Sequence, residues 1–195
     1  MPPLLYVVRH GETDWNAQCR LQGQADTDLN AAGVGQASEN GRRLAGLIPD
    51  PARFDFVASP MLRTRRTMEL ARAAMGLDPL AYRTDPRLVE INFGDWQGFT
   101  LPELESRYPG AARERQAVKW DFVPPGEGAE SYEMLFERVR PFFESLADDT
   151  VCVTHGGVIR ALFRLVGGLS KEDASALEIP QDRVLRVNGG KLEWL

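Results

Sequence analysis

The chain has 195 residues, 43% hydrophobic and 26% charged, with a formal net charge of −5 at pH 7. That length points to one domain able to bury roughly 70% of its unfolded surface, and the acidic balance lends no bulk support to a nucleic-acid partner. No run reaches the ~18 apolar residues of a membrane span, the first apolar run is too short for a signal sequence, and Cys19 and Cys152 fit neither a C-x-x-C motif nor a disulfide framework; a cytoplasmic, reduced protein with no membrane partner is expected.

Along the chain, short apolar runs alternate with helical patterns, which predicts a layered α/β fold. Residues 4–8 read as a strand. Irregular chain then leads to Asn30, placed to cap a helix in which Val34, Ala37, Leu44 and Leu47 share one face. Residues 54–58 form the next strand. Ser59-Pro60 predicts a helix opening, with Ser59 as N-cap and proline at the first helical position. Thr64, Met68, Ala71 and Met75 give that helix its inward face, and Gly76 ends it. Residues 80–83 suggest a third strand. Between Glu90 and Glu130, Gly, Pro and aromatic residues gather with weak periodicity, apart from a short helix near 102–107; this reads as an excursion from the sheet edge that covers a site. A helix over 131–146 follows, kinked at Pro141. A strand at 150–154 buries Cys152 as a small filler. A helix at 157–166 is apolar nearly all round, and the chain ends in a hairpin turning at Asn188-Gly189.

Only two histidines occur, and their settings match. His10 follows Leu4-Leu5-Tyr6-Val7-Val8-Arg9 and precedes Gly11. His155 follows Val151-Cys152-Val153-Thr154 and precedes Gly156-Gly157. Ligands of open parallel sheets bind beyond the carboxyl ends of the strands, so two strands that end in histidine can bring both rings to one crevice. Zinc needs three or four ligands, often closely spaced, and no such pattern is present; no metal and no cofactor are expected. Arg9 adjoins His10, and Arg63 lies in the first turn of the helix after Ser59-Pro60. Guanidinium forks suit tetrahedral oxyanions, and a helix N-terminus adds free N–H groups. Arg65 and Arg66 compete with Arg63, but Arg63 is nearest the strand–helix corner.

The segment from Leu5 to Asn16, Leu5-Tyr6-Val7-Val8-Arg9-His10-Gly11-Glu12-Thr13-Asp14-Trp15-Asn16, resembles the signature of the histidine phosphatase, or phosphoglycerate mutase-like, superfamily. Ser59-Pro60-Met61-Leu62-Arg63-Thr64, the stretch from Leu88 to Gly98 and Val153-Thr154-His155-Gly156-Gly157 resemble its second, third and fourth motifs, in the family's order. The resemblance implies a three-layer α/β/α sandwich with a mostly parallel central sheet, a single domain over residues 1–195. It implies His10 as nucleophile, Arg9, Arg63 and His155 around the transferring phosphoryl group, and Glu90 as general acid and then base. Asn16, Gln22, Gly23 and Gly156 would contact phosphate or substrate. Glu12 and Asp14 remain competing carboxylates near His10.

The same chemistry serves hydrolysis and mutase transfer. The family's mutases typically carry Tyr three residues after the acid and an adjacent arginine pair for a carboxylate. This chain has Phe93, and Arg113 and Arg115 are its nearest cations. Hydrolysis of a small-molecule phosphate ester is therefore expected, with the mutase as alternative and a non-catalytic phospho-ligand sensor as a further one. Trp96, Phe99, Tyr108, Trp120 and Phe122 either line a pocket for the leaving group or form the excursion's own core. A homodimer is compatible with the sequence.

Overall fold

An unbroken apolar run makes a strand that must be covered on both faces. In the computed structural model, which describes residues 3–195, β1 (Leu5–Arg9) turns Leu5 and Val7 into one core cluster and Tyr6 and Val8 into another. The chain continues through a short helix α1 (Asp14–Ala17), then α2 (Ala31–Leu47), β2 (Asp55–Ala58), α3 (Leu62–Ala74) and the two-residue strand β3 (Arg83–Thr84). The long excursion follows, carrying α4 (Leu101–Arg107) and α5 (Ala111–Ala117). After it come α6 (Tyr132–Glu144), β4 (Thr150–Thr154), α7 (Gly156–Gly167), α8 (Lys171–Ala176), β5 (Val184–Asn188) and β6 (Lys191–Trp194).

The sheet has the order β3-β2-β4-β1-β5-β6. The pairs β3–β2, β2–β4 and β4–β1 are parallel, whereas β5 and β6 run antiparallel at one side. Leu44 of α2 and Met68 of α3 pack on the face of Tyr6 and Val8. Leu135 and Phe142 of α6 and Ile159 and Leu162 of α7 pack on the face of Leu5 and Val7, and Cys152 joins them, fully buried. Helices on both faces of a mostly parallel sheet give the expected α/β/α sandwich.

Several local expectations change. Asn30 caps α2 through the Gly33 N–H, as expected, but Val34 is exposed and the buried face runs through Gly33, Ala37, Asn40, Gly41 and Leu44. The reason is a backbone-to-backbone approach: a Cβ on Gly33 would lie 2.1 Å from the Glu12 carbonyl oxygen, and one on Gly11 2.3 Å from that of Gly33. Ser59 is not a helix cap. α3 begins at Leu62, whose N–H is taken by the Asp26 carboxylate from another loop at 2.7 Å. The third strand shrinks to Arg83–Thr84 because the preceding residues close turns, Ala81 N–H on Asp78 and Tyr82 N–H on Leu80. The hairpin turns one residue later than expected, at Gly189-Gly190, both with positive φ. α1 and α8 are too short for periodicity to reveal.

Candidate active site

Strand register brings the two histidines together. Arg9 of β1 lies opposite Thr154 of β4, and the His10 N–H donates to the Thr154 carbonyl at 2.9 Å. The next residue on each strand is histidine, and the ring centroids stand 5.2 Å apart. On the other side of β4, Ala58 lies opposite Val153, so Ser59 falls level with Thr154, one residue short of His155. Its hydroxyl meets His155 Nε2 at 2.8 Å, which is where the side chain freed from capping duty goes.

His10 is almost wholly buried, and its Nδ1 lies 2.8 Å from the Gly11 carbonyl oxygen. A carbonyl only accepts, so Nδ1 carries the proton and Nε2 keeps its lone pair. That lone pair accepts the Arg63 Nε–H at 3.3 Å. Burial, then the charges of Arg63 and Arg9, hold the His10 imidazolium well below its usual range. The ring is therefore neutral at pH 7. Burial and Arg63 do the same to His155, whose Nδ1 has no partner among the described residues.

Arg63 projects from the first turn of α3. Its two terminal nitrogens donate to the carbonyls of Ala25 and Gly23 at 2.7 Å each, fixing the guanidinium plane against His10. Arg9 donates to the Ile179 carbonyl at 2.7 Å and leaves its buried Nε without a partner among the described residues. Burial lowers both arginines to about 10 against the opposing pull of Glu90, so both stay charged at neutral pH.

Glu90 reaches the site from the other wall. Its carboxylate accepts the Ile91 N–H at 2.9 Å and the Gly157 N–H at 3.1 Å to each oxygen. It thus sits at the N-terminus of α7 and answers one of the N–H groups left free there. Glycine at 157 is what leaves the carboxylate room in this position, since a Cβ there would meet Glu90 Oε1 at 2.3 Å. Arg138 of α6 secures the strand of chain that carries this acid: it donates to the carbonyls of Arg87 and Val89 at 2.8 Å each and pairs with Glu130.

A cavity of about 190 Å³ opens onto these groups. Of the residues expected at the site, His10, Arg9, Arg63, Glu90, Asn16, Gln22, Gly23 and Gly156 line it. His155 does not; it stands behind, fully buried against His10. Glu12 accepts from Asn30 and Asp14 is exposed in the first turn of α1, and neither lines the cavity. Arg115 lines it and is buried, whereas Arg113 is exposed. Trp96 and Trp120 are core residues, and the cavity's aromatic members are Phe93 and Tyr132.

Sequence reasoning missed Lys119, Tyr132, Arg160, Arg138 and Gln181. Gln181, in the loop between α8 and β5, donates its amide to the His10 carbonyl at 3.0 Å and to Asn16 Oδ1 at 3.1 Å. Having bound Asn16 through its oxygen, it leaves the Asn16 NH2 to face elsewhere. Only Arg160 had a usable signal: it lies four residues after Gly156 on the same helix, hence on the same face.

Comparison with known proteins accords with this geometry. Residues 5–194 match the Histidine phosphatase superfamily (branch 1). Among relatives, phosphoglycerate mutase-like protein 4 of Arabidopsis thaliana is 35% identical, covering 82% of this chain and 69% of its own length. A 2,3-bisphosphoglycerate-dependent phosphoglycerate mutase of Methylobacterium radiotolerans is 32% identical over 92% of this chain and 86% of its own length. Among solved structures, a mycobacterial glucosyl-3-phosphoglycerate phosphatase complexed with VO3 superposes with a TM-score of 0.79 at 30% identity, covering 99% of this chain and 96% of the other. A phosphoglycerate mutase from Thermus thermophilus superposes at 0.72 with 36% identity over 98% and 96% of the two chains. With its sheet, its paired histidines and these matches along almost its entire length, the chain belongs to branch 1 of the histidine phosphatase superfamily.

Proposed function

We propose that this protein is a phosphomonoesterase that hydrolyses small phosphorylated metabolites through a phosphohistidine on His10. The observation that carries this reading is the neutral His10 ring, with Nδ1 held by a carbonyl and Nε2 bearing its lone pair beside Arg63 at the cavity wall. Nε2 attacks phosphorus, an N–P bond forms, and the P–O bond to the leaving group breaks. Glu90, protonated, gives its proton to the departing oxygen. Water then attacks the phosphohistidine, Glu90 takes the proton back, and the N–P bond breaks to release orthophosphate. Arg9 and Arg63 offset charge on the equatorial oxygens, and His155 offers from behind an Nδ1 that has no partner among the described residues. Asn16, Gln22, Gly23 and Gly156 contact the phosphate or substrate, and residues 90–130 cover the site.

Phe93 at the cavity wall, lacking a hydroxyl, supports hydrolysis. A second reading, phosphoglycerate mutase activity, is favoured by the cations Arg115 and Arg160 on the same cavity and by the names of the relatives. A panel of phosphate monoesters with a chelator present, including 3-phosphoglycerate with its bisphosphate, separates the two. Orthophosphate release outrunning isomer formation is expected; the reverse overturns hydrolysis. An acid-labile phosphoryl adduct is expected on His10, and its appearance on any other residue overturns the mechanism.

A further inference from the structure

The histidines stand at the ends of ladder-bound strands, but Glu90 does not. Residues 89–93 belong to no helix or strand, so no neighbouring strand fixes the backbone that carries this carboxyl. Carbonyls off a ladder must find other partners, and the four from Arg87 to Glu90 all find side chains. The Leu88 carbonyl accepts the Thr154 hydroxyl at 3.0 Å. Those of Arg87 and Val89 each accept Arg138 Nη1 at 2.8 Å. That of Glu90 accepts the Gln24 amide at 3.0 Å and Arg138 Nη2 at 3.3 Å.

Arg138 thus serves three of the four. A guanidinium has five N–H groups, and the two not yet counted go to Glu130, from Nε and Nη2 at 2.8 Å each. Every donor of the fork is spent inside the protein. Glu130 in turn ties down the chain on the far side of the acid: its Oε2 accepts the Asn92 N–H at 3.1 Å, and its own N–H donates to the Asn92 carbonyl at 2.8 Å. Neither Arg138 nor Glu130 lines the cavity, so the pair reaches the chemistry only through the backbone on either side of Glu90. Side chains from α6 and its approach replace the ladder that this stretch lacks.

We propose that Arg138 is a positioning residue for proton transfer: by holding the carbonyls of Arg87, Val89 and Glu90 it sets the Glu90 carboxyl where the leaving oxygen departs. The inference rests on the reading of Glu90 as general acid, and assigns what keeps that acid in place. A misplacement of about 1 Å at a reacting group costs about 10²-fold. Loss of the fork should therefore show in the step that uses the proton, and leave the phosphate corner of His10, Arg9 and Arg63 as it was.

The test is rapid-quench measurement of phosphoenzyme formation on two substrates, the alkyl ester that the wild type cleaves fastest and 4-nitrophenyl phosphate. Arg138→Met should slow the alkyl ester about 10- to 100-fold and the aryl ester less than about threefold. Affinity for inorganic phosphate, measured by calorimetry, should stay within about threefold of wild type. Arg138→Lys keeps the charge beside Glu130 and is the variant less prone to misfold, but an ammonium cannot span three carbonyls and a carboxylate. It should show the same pattern at about 3- to 10-fold. Added to Glu90→Gln, which has no proton to place, Arg138→Lys should cost less than about twofold on the alkyl ester. Equal slowing of both esters, weakened phosphate binding, or a full cost retained in the Glu90→Gln background overturns the inference, because each marks a merely structural role. Wild-type alkyl rates in both Arg138 variants, with Glu90→Gln selectively slow on the alkyl ester, sink this inference alone. Equal losses on the two esters in Glu90→Gln itself sink the reading of Glu90 on which it rests.

Discussion

The two ends of the cavity are built in different ways. The inner end is made where strands stop: His10, His155 and Ser59 are the residues that follow β1, β4 and β2, and parallel register sets the two histidines level with Ser59 one residue behind them. The outer end is made where α5, the turn after it, the start of α6 and the second turn of α7 meet, bringing in Arg115, Lys119, Tyr132 and Arg160. A sheet edge positions side chains to within the tolerance of a hydrogen-bonded ladder, which suits bond-making. Packed loops and short helices vary at little cost to the core, which suits the choice of substrate. Under the proposed function, chemistry and the choice of substrate rest on separate parts of the scaffold.

That division is open to attack from either end. The largest effect is expected at the inner end: Glu90→Gln should lower kcat by about 10²- to 10⁴-fold on alkyl phosphates. On an aryl phosphate, whose leaving group needs no proton, the rate of phosphoenzyme formation should suffer far less; equal losses in that rate on both would remove Glu90 from the acid role. Gly157→Ala comes next, because its Cβ displaces the Glu90 carboxylate without touching the outer wall. About a 10²-fold loss in kcat is expected, with KM little changed, and a crystal structure of the variant should show the carboxylate moved.

A smaller effect is one of stability. The two buried histidines are held below 6.5 in the folded protein and return to it on unfolding, so in mildly acid solution the unfolded chain binds more protons. Stability should therefore fall as pH drops below about 6.5, by up to ~1.4 kcal/mol per pH unit for each histidine. Urea titrations of the wild type and His155→Asn, compared across pH 4.5–7.5, should differ by that slope (~1.4 kcal/mol per pH unit). The smallest effect belongs to the outer end. Lys119 loses its proton as pH rises through about 8 and lines the same cavity as His10, so affinity for a phosphate ester should decline severalfold from pH 7 to 9. Lys119→Arg, which stays charged, should flatten the decline; an unchanged profile would detach Lys119 from the ligand.

The inner end could be read from the sequence because its residues lie beside the apolar runs and glycines that end strands, and those patterns are local. The same locality explains the assignment of Asn30 as a cap. It failed where two segments distant in sequence compete for one group: Ser59 has the sequence of a cap, yet β4 delivers His155 to its hydroxyl and Asp26 takes over at the head of α3. Val34 fits a helical stripe, but the approach of Gly11 to Gly33 rotates α2 away from it. The outer end left almost no trace. Arg115 and Arg113 look alike in sequence, and only packing of α5 against the cavity buries one and exposes the other. Arg138 and Gln181 hold the site chiefly through backbone carbonyls, which any residue supplies, and their side-chain partners Glu130 and Asn16 are unmarked as such in the sequence around them.

The segment between α8 and β5 carries one more consequence. Within a few residues the Leu177 carbonyl holds Arg160, the Ile179 carbonyl holds Arg9, and the Gln181 side chain holds His10 and Asn16. This short stretch is tethered to the terminal ribbon through β5, which pairs with β1, the strand that leads into His10. Fraying of the carboxyl-terminal ribbon would then slacken both ends of the cavity at once. In amide exchange, the protection of β5 and of the His10 amide should rise and fall as one cooperative unit.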